Sequence, residues 1–134
     1  MKARIIRIVV TIFLILPAAF FLLTGFRWLV SPADAAGALL MPLLSGSGLG
    51  SQIGDIGGMF LALGIVVMGA VVTQKGDWLV PASIVLGCIV LFRLLAFSLY
   101  SAPLAPQAIV FELALSVWFV FASRLLKHRE ASDA

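Results

Sequence analysis

Four ionisable residues are spread along a chain that is otherwise strongly apolar: Arg27, Asp55, Arg93 and Glu112. Two are cationic and two are anionic, so their formal charges cancel. Each lies within or beside an apolar run, and an isolated charge inside a membrane costs from about 2.5 kcal/mol upward. Such residues suit ion pairing between helices, binding of a polar ligand, or proton transfer.

The composition sets the environment in which these residues act. The chain has 134 residues, of which 63% are hydrophobic and 11% are charged, and its mean hydropathy is +1.19. A soluble domain of this size needs a charged surface that this chain lacks, so the class is an integral membrane protein. The basic residues behind the net charge of +3 flank apolar segments, which indicates membrane anchoring and argues against nucleic acid as a partner.

Four apolar segments, each near the ~20 residues that cross a bilayer, predict transmembrane helices at residues 8–26, 56–72, 78–98 and 108–126. Together they predict one transmembrane domain over residues 1–134 with an all-α fold, an integral membrane four-helix bundle. A cleaved signal peptide is the alternative for the first segment. Because Arg27 and Trp28 intervene before the small-residue site at 33–35, we expect a retained helix.

Basic residues set the expected orientation. With four spans, these all fall on one side: Lys2, Arg4, Arg7, Lys75, Arg124, Lys127 and Arg129. The positive-inside rule then places both termini in the cytoplasm. Trp28 and Trp78 stand at span ends, as interfacial aromatic residues do. The basic stretch 124–129 is interpreted as an anchor to anionic lipid.

The predicted outer loop, residues 31–51, carries a helix signal of its own. Ser31 suits the N-cap, Pro32 the first helical position and Asp34 the first turn. A short helix through about Leu40 is expected, lying on the outer interface or covering the mouth of the bundle.

Small residues recur every four positions where the second helix begins: Gly50, Gly54, Gly58 and Ala62. This spacing permits close contact between helices. We expect the stripe to pack within the monomer, and a dimer interface is the alternative.

The four charges are expected at one depth. Arg27 ends the first helix, and Asp55 begins the second. Arg93 lies in the outer third of the third helix, and Glu112 lies about one turn inside the fourth. At 1.5 Å per residue they fall in a slab roughly 10 Å thick. Arg93 and Glu112 are the deeper residues and form the predicted central pair.

Helical spacing adds Ser116 to the face of Glu112 and Tyr100 to the face of Arg93. The six side chains predict an outer-leaflet polar pocket. Three interpretations stay open: pairs that only fix helix register, a ligand pocket built on those pairs, and a proton or ion relay. We assign no catalytic residue and no cofactor. One cysteine and one histidine cannot form a His/Cys metal cluster.

The two halves of the chain share a pattern. Phe26-Arg27-Trp28-Leu29 ends the first helix, Phe92-Arg93-Leu94-Leu95 occurs late in the third, and the next helix in each half begins with an acid. Two hairpin repeats related by an axis along the membrane normal would produce this arrangement.

The chain resembles a bacterial group of small four-helix membrane proteins that is catalogued as a domain of unknown function, and more distantly the DoxX-like membrane proteins. The residues that carry the resemblance are Gly25-Phe26-Arg27-Trp28 followed by Pro32, then SQIGDIGG at 51–58, then Arg93 and Glu112. It covers about residues 8–126. It implies the four-helix fold and a bacterial inner membrane, and it implies no established activity. DoxX-like proteins are associated with redox or quinone-linked complexes.

The favoured function is therefore a non-enzymatic inner-membrane protein among membrane lipids. It would bind a small amphiphile, such as a lipid or a quinone-like molecule, or serve as a subunit of a larger complex. One alternative is a membrane enzyme or redox partner that acts on a lipid or quinone, with Asp55 or Glu112 as proton donor or acceptor. The other is a small-solute transporter, which would need a homo-oligomer because four helices are few.

Overall fold

The computed structural model describes the backbone of residues 2–133 and the side chains of residues 5–127. In this part of the chain every regular element is helical: α1 (Lys2–Val30), α2 (Pro32–Ala38), α3 (Ser47–Ser51), α4 (Gly58–Thr73), α5 (Leu79–Tyr100) and α6 (Pro106–Asp133). A π-helical turn, Gln52–Gly57, joins α3 to α4, and a 3-10 turn, Gly76–Trp78, precedes α5. The predicted anchoring side chains of Lys2, Arg4, His128 and Arg129 lie outside the described side chains.

Four helical stretches are long and apolar enough to cross a membrane: Ile5–Val30, Ser47–Thr73, Gly76–Tyr100 and Pro106–Lys127. The predicted all-α class with four membrane-spanning helices is confirmed, and the chain is a multi-pass membrane protein. The second stretch begins at Ser47, well before the predicted residue 56. The reason is that the glycine-rich segment 47–57, which composition alone assigns largely to the loop, continues the helix through α3 and the π turn.

The chain divides into two compact units, residues 1–68 and 69–134. In the first unit α1 packs against α4 with backbones in close approach. A Cβ on Gly25 would lie 2.7 Å from the backbone nitrogen of Leu61, and one on Gly64 would lie 2.6 Å from Cγ of Leu22. Neither position accepts a larger residue without movement of the helices, so these glycines set the distance between α1 and α4.

The predicted packing stripe lies on another face. Gly50, Gly54, Gly58 and Ala62 are all exposed, and a Cβ on any of the three glycines would meet no atom within 4 Å. Within the first unit these glycines therefore bring no other helix into close contact, and the packing role of the stripe stays a prediction. The face of the second span that meets α1 carries Gly57 of the π turn and Gly64 of α4, and four-residue spacing alone does not distinguish the two faces.

Trp28, which stands at the end of the first span as predicted, is fully buried within the protein. It forms a small core with Ala35 and Ala36 of α2, and these side chains pack around it: Leu39, Met41, Ile53 and Ile56. Burial is favourable for so large an aromatic surface once α2 provides a cover. The segment 32–41 thus folds over the end of α1.

Ser31 precedes α2 and Pro32 takes its first position, as predicted. The Ser31 hydroxyl, however, makes no capping hydrogen bond to the backbone and donates to Oδ2 of Asp34 at 2.6 Å. A hydrogen bond to an ionised acceptor is stronger than one between neutral groups, so this contact holds the serine side chain against the first turn of α2. The helix ends at Ala38, two residues before the predicted end at Leu40.

In the second unit α5 and α6 form an antiparallel hairpin. Ser116 Oγ of α6 donates to the carbonyl oxygen of Ser83 of α5 at 2.9 Å. Two turns nearer the start of the hairpin, Gly76 lies against the backbone carbonyl of Ser123, where a Cβ would collide. These two contacts determine which residues of α5 and α6 are level with one another.

Candidate functional site

Arg93 of α5 and Glu112 of α6 form an ion pair between the two helices. Arg93 Nε donates to Oε1 at 3.2 Å and to Oε2 at 3.0 Å, and Nη2 donates to Oε1 at 3.0 Å. Contacts from two nitrogens to one carboxylate give the pair both geometric specificity and strength. The structure thus brings together the two residues predicted to form the centre of the site.

The hairpin explains why these residues meet. α5 ends at Tyr100, where Ser101 adopts a left-handed conformation with a φ of 53°. α6 then begins at Pro106, whose ring suits a first helical position. Arg93 lies about two turns before the end of α5, and Glu112 lies about two turns after the start of α6. Antiparallel pairing brings them within reach, because each long side chain leans toward the start of its own helix and the two therefore extend toward one another.

The pair is shielded unequally. The Glu112 side chain is 14% exposed and that of Arg93 is 40% exposed. Arginine carries five N–H donors, and the contacts to Glu112 use the Nε donor and one on Nη2. Among the described residues Arg93 has no second acceptor. The pair is therefore neutral overall, and three donors of Arg93 stay available: the second N–H of Nη2 and both N–H groups of Nη1.

Ser116 and Tyr100 are the two residues that helical spacing adds to the predicted pocket. The Ser116 hydroxyl is committed to the Ser83 carbonyl, so its first role is packing of α6 on α5. Tyr100 is 82% exposed at the end of α5. Its hydroxyl has no hydrogen-bond partner within residues 5–127. Neither residue contacts the Arg93–Glu112 pair through a hydrogen bond.

Arg27 and Asp55 lie in the first unit, and the structure does not pair them with each other. Because Trp28 is level with Gly57 and Gly25 with Leu61, Arg27 and Asp55 differ in depth by about one helical turn. Both are exposed, and neither makes an ion pair in the described part of the chain. They therefore lie about one turn apart in depth within this unit, and the structure shows no contact that joins them.

Gln52 is a residue that the sequence interpretation missed. Its side chain is buried, with 4% exposure, at the start of the π turn that contains Asp55. Its Oε1 accepts a hydrogen bond from the Leu44 N–H at 2.8 Å, and its Nε2 donates to the Pro42 carbonyl at 2.9 Å. It therefore ties the outer loop to the second span. The available signal was an amide in an otherwise glycine-rich apolar segment, since a buried amide needs partners.

An open groove of about 310 Å³ runs along α6, and five residues line it: Ser116, Val117, Val120, Phe121 and Arg124. Of the six residues assigned to a polar pocket, Ser116 alone lines this groove. Within the described residues, no group of three His, Cys, Asp or Glu side chains could hold a metal ion.

No protein-family model, curated protein or solved structure matches this chain. The resemblance to the small bacterial four-helix proteins, and to DoxX-like proteins, therefore stays a prediction. The functional conclusion rests on the geometry of the chain's own residues.

Proposed function

We propose that this chain is a non-enzymatic protein of the bacterial inner membrane that binds a small amphiphile through the Arg93–Glu112 pair. The observation that carries the proposal is the partly exposed side chain of Arg93, held in place by Glu112 with the second N–H of Nη2 and the N–H groups of Nη1 available. A residue used only to join α5 to α6 has no need of an exposed donor edge.

The chemistry of this edge indicates the class of ligand. The free N–H of Nη2 and the adjacent N–H of Nη1 are parallel, and such a pair of guanidinium donors matches two oxygens of one ligand group. Since Glu112 already balances the positive charge, the site favours ligands rich in acceptor oxygens over simple anions. A lipid headgroup with its ester carbonyls fits this description, and so does a quinone-like ring.

The orientation follows from the same hairpin. Lys75, Arg124 and Lys127 lie at the end of α5 and α6 opposite the Arg93–Glu112 pair. The positive-inside rule places that basic end in the cytoplasm. The pair then belongs to the outer leaflet, where an amphiphile enters from the side.

Native mass spectrometry of the protein released from its own membrane, followed by lipid extraction, tests the proposal. The variant is Arg93→Met with Glu112→Gln, which removes the donors without leaving a lone charge. The matched control is Lys127→Met with Asp77→Asn, which removes the other ion pair of the same hairpin. We expect a stoichiometric adduct in the wild type and the control, lost in the variant.

Two results would contradict this assignment. An adduct that persists in the Arg93→Met, Glu112→Gln variant would place the ligand elsewhere. Absence of an adduct in all three proteins would mean that the Arg93–Glu112 pair only fixes the register of α5 and α6. The chain would then be better described as a subunit of a larger complex.

A second candidate function is proton exchange with a lipid or quinone at Asp55. The observation that favours it is the position of this exposed carboxylate in a π turn, because such turns occur frequently at functional sites. Turnover of a lipid or quinone that depends on pH in the wild type and is abolished in Asp55→Asn would favour this function. Turnover unchanged in Asp55→Asn would reject it.

A further inference from the structure

The groove on α6 lies toward the opposite end of the hairpin from the Arg93–Glu112 pair. We propose that it holds an acyl chain of an anionic phospholipid, with the headgroup phosphate bound by Arg124. This site is distinct from the proposed outer-leaflet site and does not depend on it.

The shape and lining of the groove suit a hydrocarbon chain. Val117, Val120 and Phe121 are 61%, 42% and 54% exposed, so the groove opens to the surroundings of α6 along an apolar surface. From Ser116 to Arg124 it extends over eight residues, or about 12 Å at 1.5 Å per residue. A groove of this length aligns part of one acyl chain along the helix.

The groove lies beside the contact with α5 and is separate from it. Ser116 and Ser123 face α5 through their contacts with Ser83 and Gly76. Val117 and Phe121 follow Ser116 by about 100° and 140° around the helix. A lipid in the groove therefore fits alongside the hairpin and leaves the α5–α6 contact intact.

Charge at the end of the groove selects the headgroup. Lys127 forms a salt bridge with Asp77, whereas Arg124 has no ion pair among the described side chains. On the described part of α6, Arg124 is thus the cation whose charge stays uncompensated. It lies within one turn of the end of the membrane-spanning stretch at Lys127, where arginine side chains reach headgroups and bind phosphate through a planar pair of donors.

The proposal is tested with purified protein in detergent, to which phosphatidylglycerol or phosphatidylcholine with identical acyl chains is added. Native mass spectrometry counts the lipid molecules that stay bound. One basic residue near a membrane surface favours an anionic lipid by about fivefold. We expect that preference in the wild type and its loss in Arg124→Gln. The charge-matched control Lys75→Gln removes a cation at the same end of the hairpin and keeps the preference.

A second variant tests the groove itself. Val120→Trp fills it, and we expect reduced retention of both lipids. Val110→Trp places the same ring on an exposed position of α6 outside the groove, where Val110 is 66% exposed, and leaves retention unchanged. Equal preference for phosphatidylglycerol in Arg124→Gln and the wild type would overturn the headgroup assignment. Unchanged retention in Val120→Trp would overturn the groove assignment.

Discussion

Gly57 and Trp28 are packed so closely that a Cβ on the glycine would lie 2.7 Å from the Cβ of the tryptophan. Trp28 has no exposed surface and is covered by α2 on its other side. Trp28 therefore joins three segments of the first unit: the end of α1, α2 and the π turn.

Replacement of Gly57 by alanine should destabilise the protein because the new methyl group overlaps Trp28. Overpacking of this kind costs about 1–3 kcal/mol. The measurement is thermal or denaturant unfolding in detergent. Gly54→Ala is the matched control in the same turn, since a Cβ there meets no atom within 4 Å. Equal loss of stability in both variants would contradict the contact between Gly57 and Trp28.

Replacing one member of the Arg93–Glu112 pair should lower the stability of the fold more than replacing both. Glu112→Gln leaves the guanidinium without its charged partner in a membrane-spanning helix. Interhelical polar contacts in membranes are worth about 1–2 kcal/mol, and a loss of that size is expected. Arg93→Met combined with Glu112→Gln should recover most of it. Melting that is unaffected by Glu112→Gln alone would show that the pair is dispensable for the fold.

The spans and the central ion pair could be predicted from sequence because hydropathy and charge cost depend on residue type alone. Arg93 and Glu112 are the ionisable residues predicted to lie deepest in adjacent helices. Because an unpaired charge at that depth is costly, the sequence predicts that they form an ion pair. The glycine faces could not be predicted in this way. Gly50, Gly54 and Gly58 repeat every four residues, and Gly57 and Gly64 also fit one helix face. The neighbouring helix decides between them, and its position is a property of the folded chain.

The burial of Trp28 could not be predicted from the sequence either. A tryptophan at the end of an apolar run suits a membrane interface and a buried core equally well. The outcome depends on α2 folding back over it, and two hydrogen bonds between Gln52 and the residues Pro42 and Leu44 hold the chain that follows α2. Neither contact follows from a periodic pattern.

Gln52→Leu should release the outer loop while the spans stay folded. The change removes the hydrogen bonds to Leu44 and Pro42, each worth about 1 kcal/mol. Hydrogen exchange at the Leu44 amide should become faster, and the loop around residues 38–46 should become sensitive to protease. Gln107→Leu, an exposed amide at the start of α6, is the control. Slow exchange at Leu44 in the Gln52 variant would refute this role.

At the 3-10 turn before α5, close packing of Gly76 should contribute more to stability than the salt bridge of Asp77. Asp77 and Lys127 form a salt bridge between side chains that are 73% and 46% exposed, and exposed pairs contribute about 0–1 kcal/mol. Asp77→Asn should therefore change unfolding little. Gly76→Ala should cost more, because its Cβ collides with the Ser123 carbonyl. If Asp77→Asn is the more damaging of the two, the salt bridge holds this turn.

The π turn has a further consequence for the second span. It holds one residue more than an α-helical turn, so it is equivalent to an insertion that the helix has absorbed without a break. Deleting one residue from 52–57 would restore ordinary α-helical winding. The part of the helix that precedes the deletion would then rotate by about 100° relative to α4. Gln52 would then face away from Pro42 and Leu44. The length of this short segment, as much as its chemistry, keeps the outer loop attached to the membrane-spanning part of the chain.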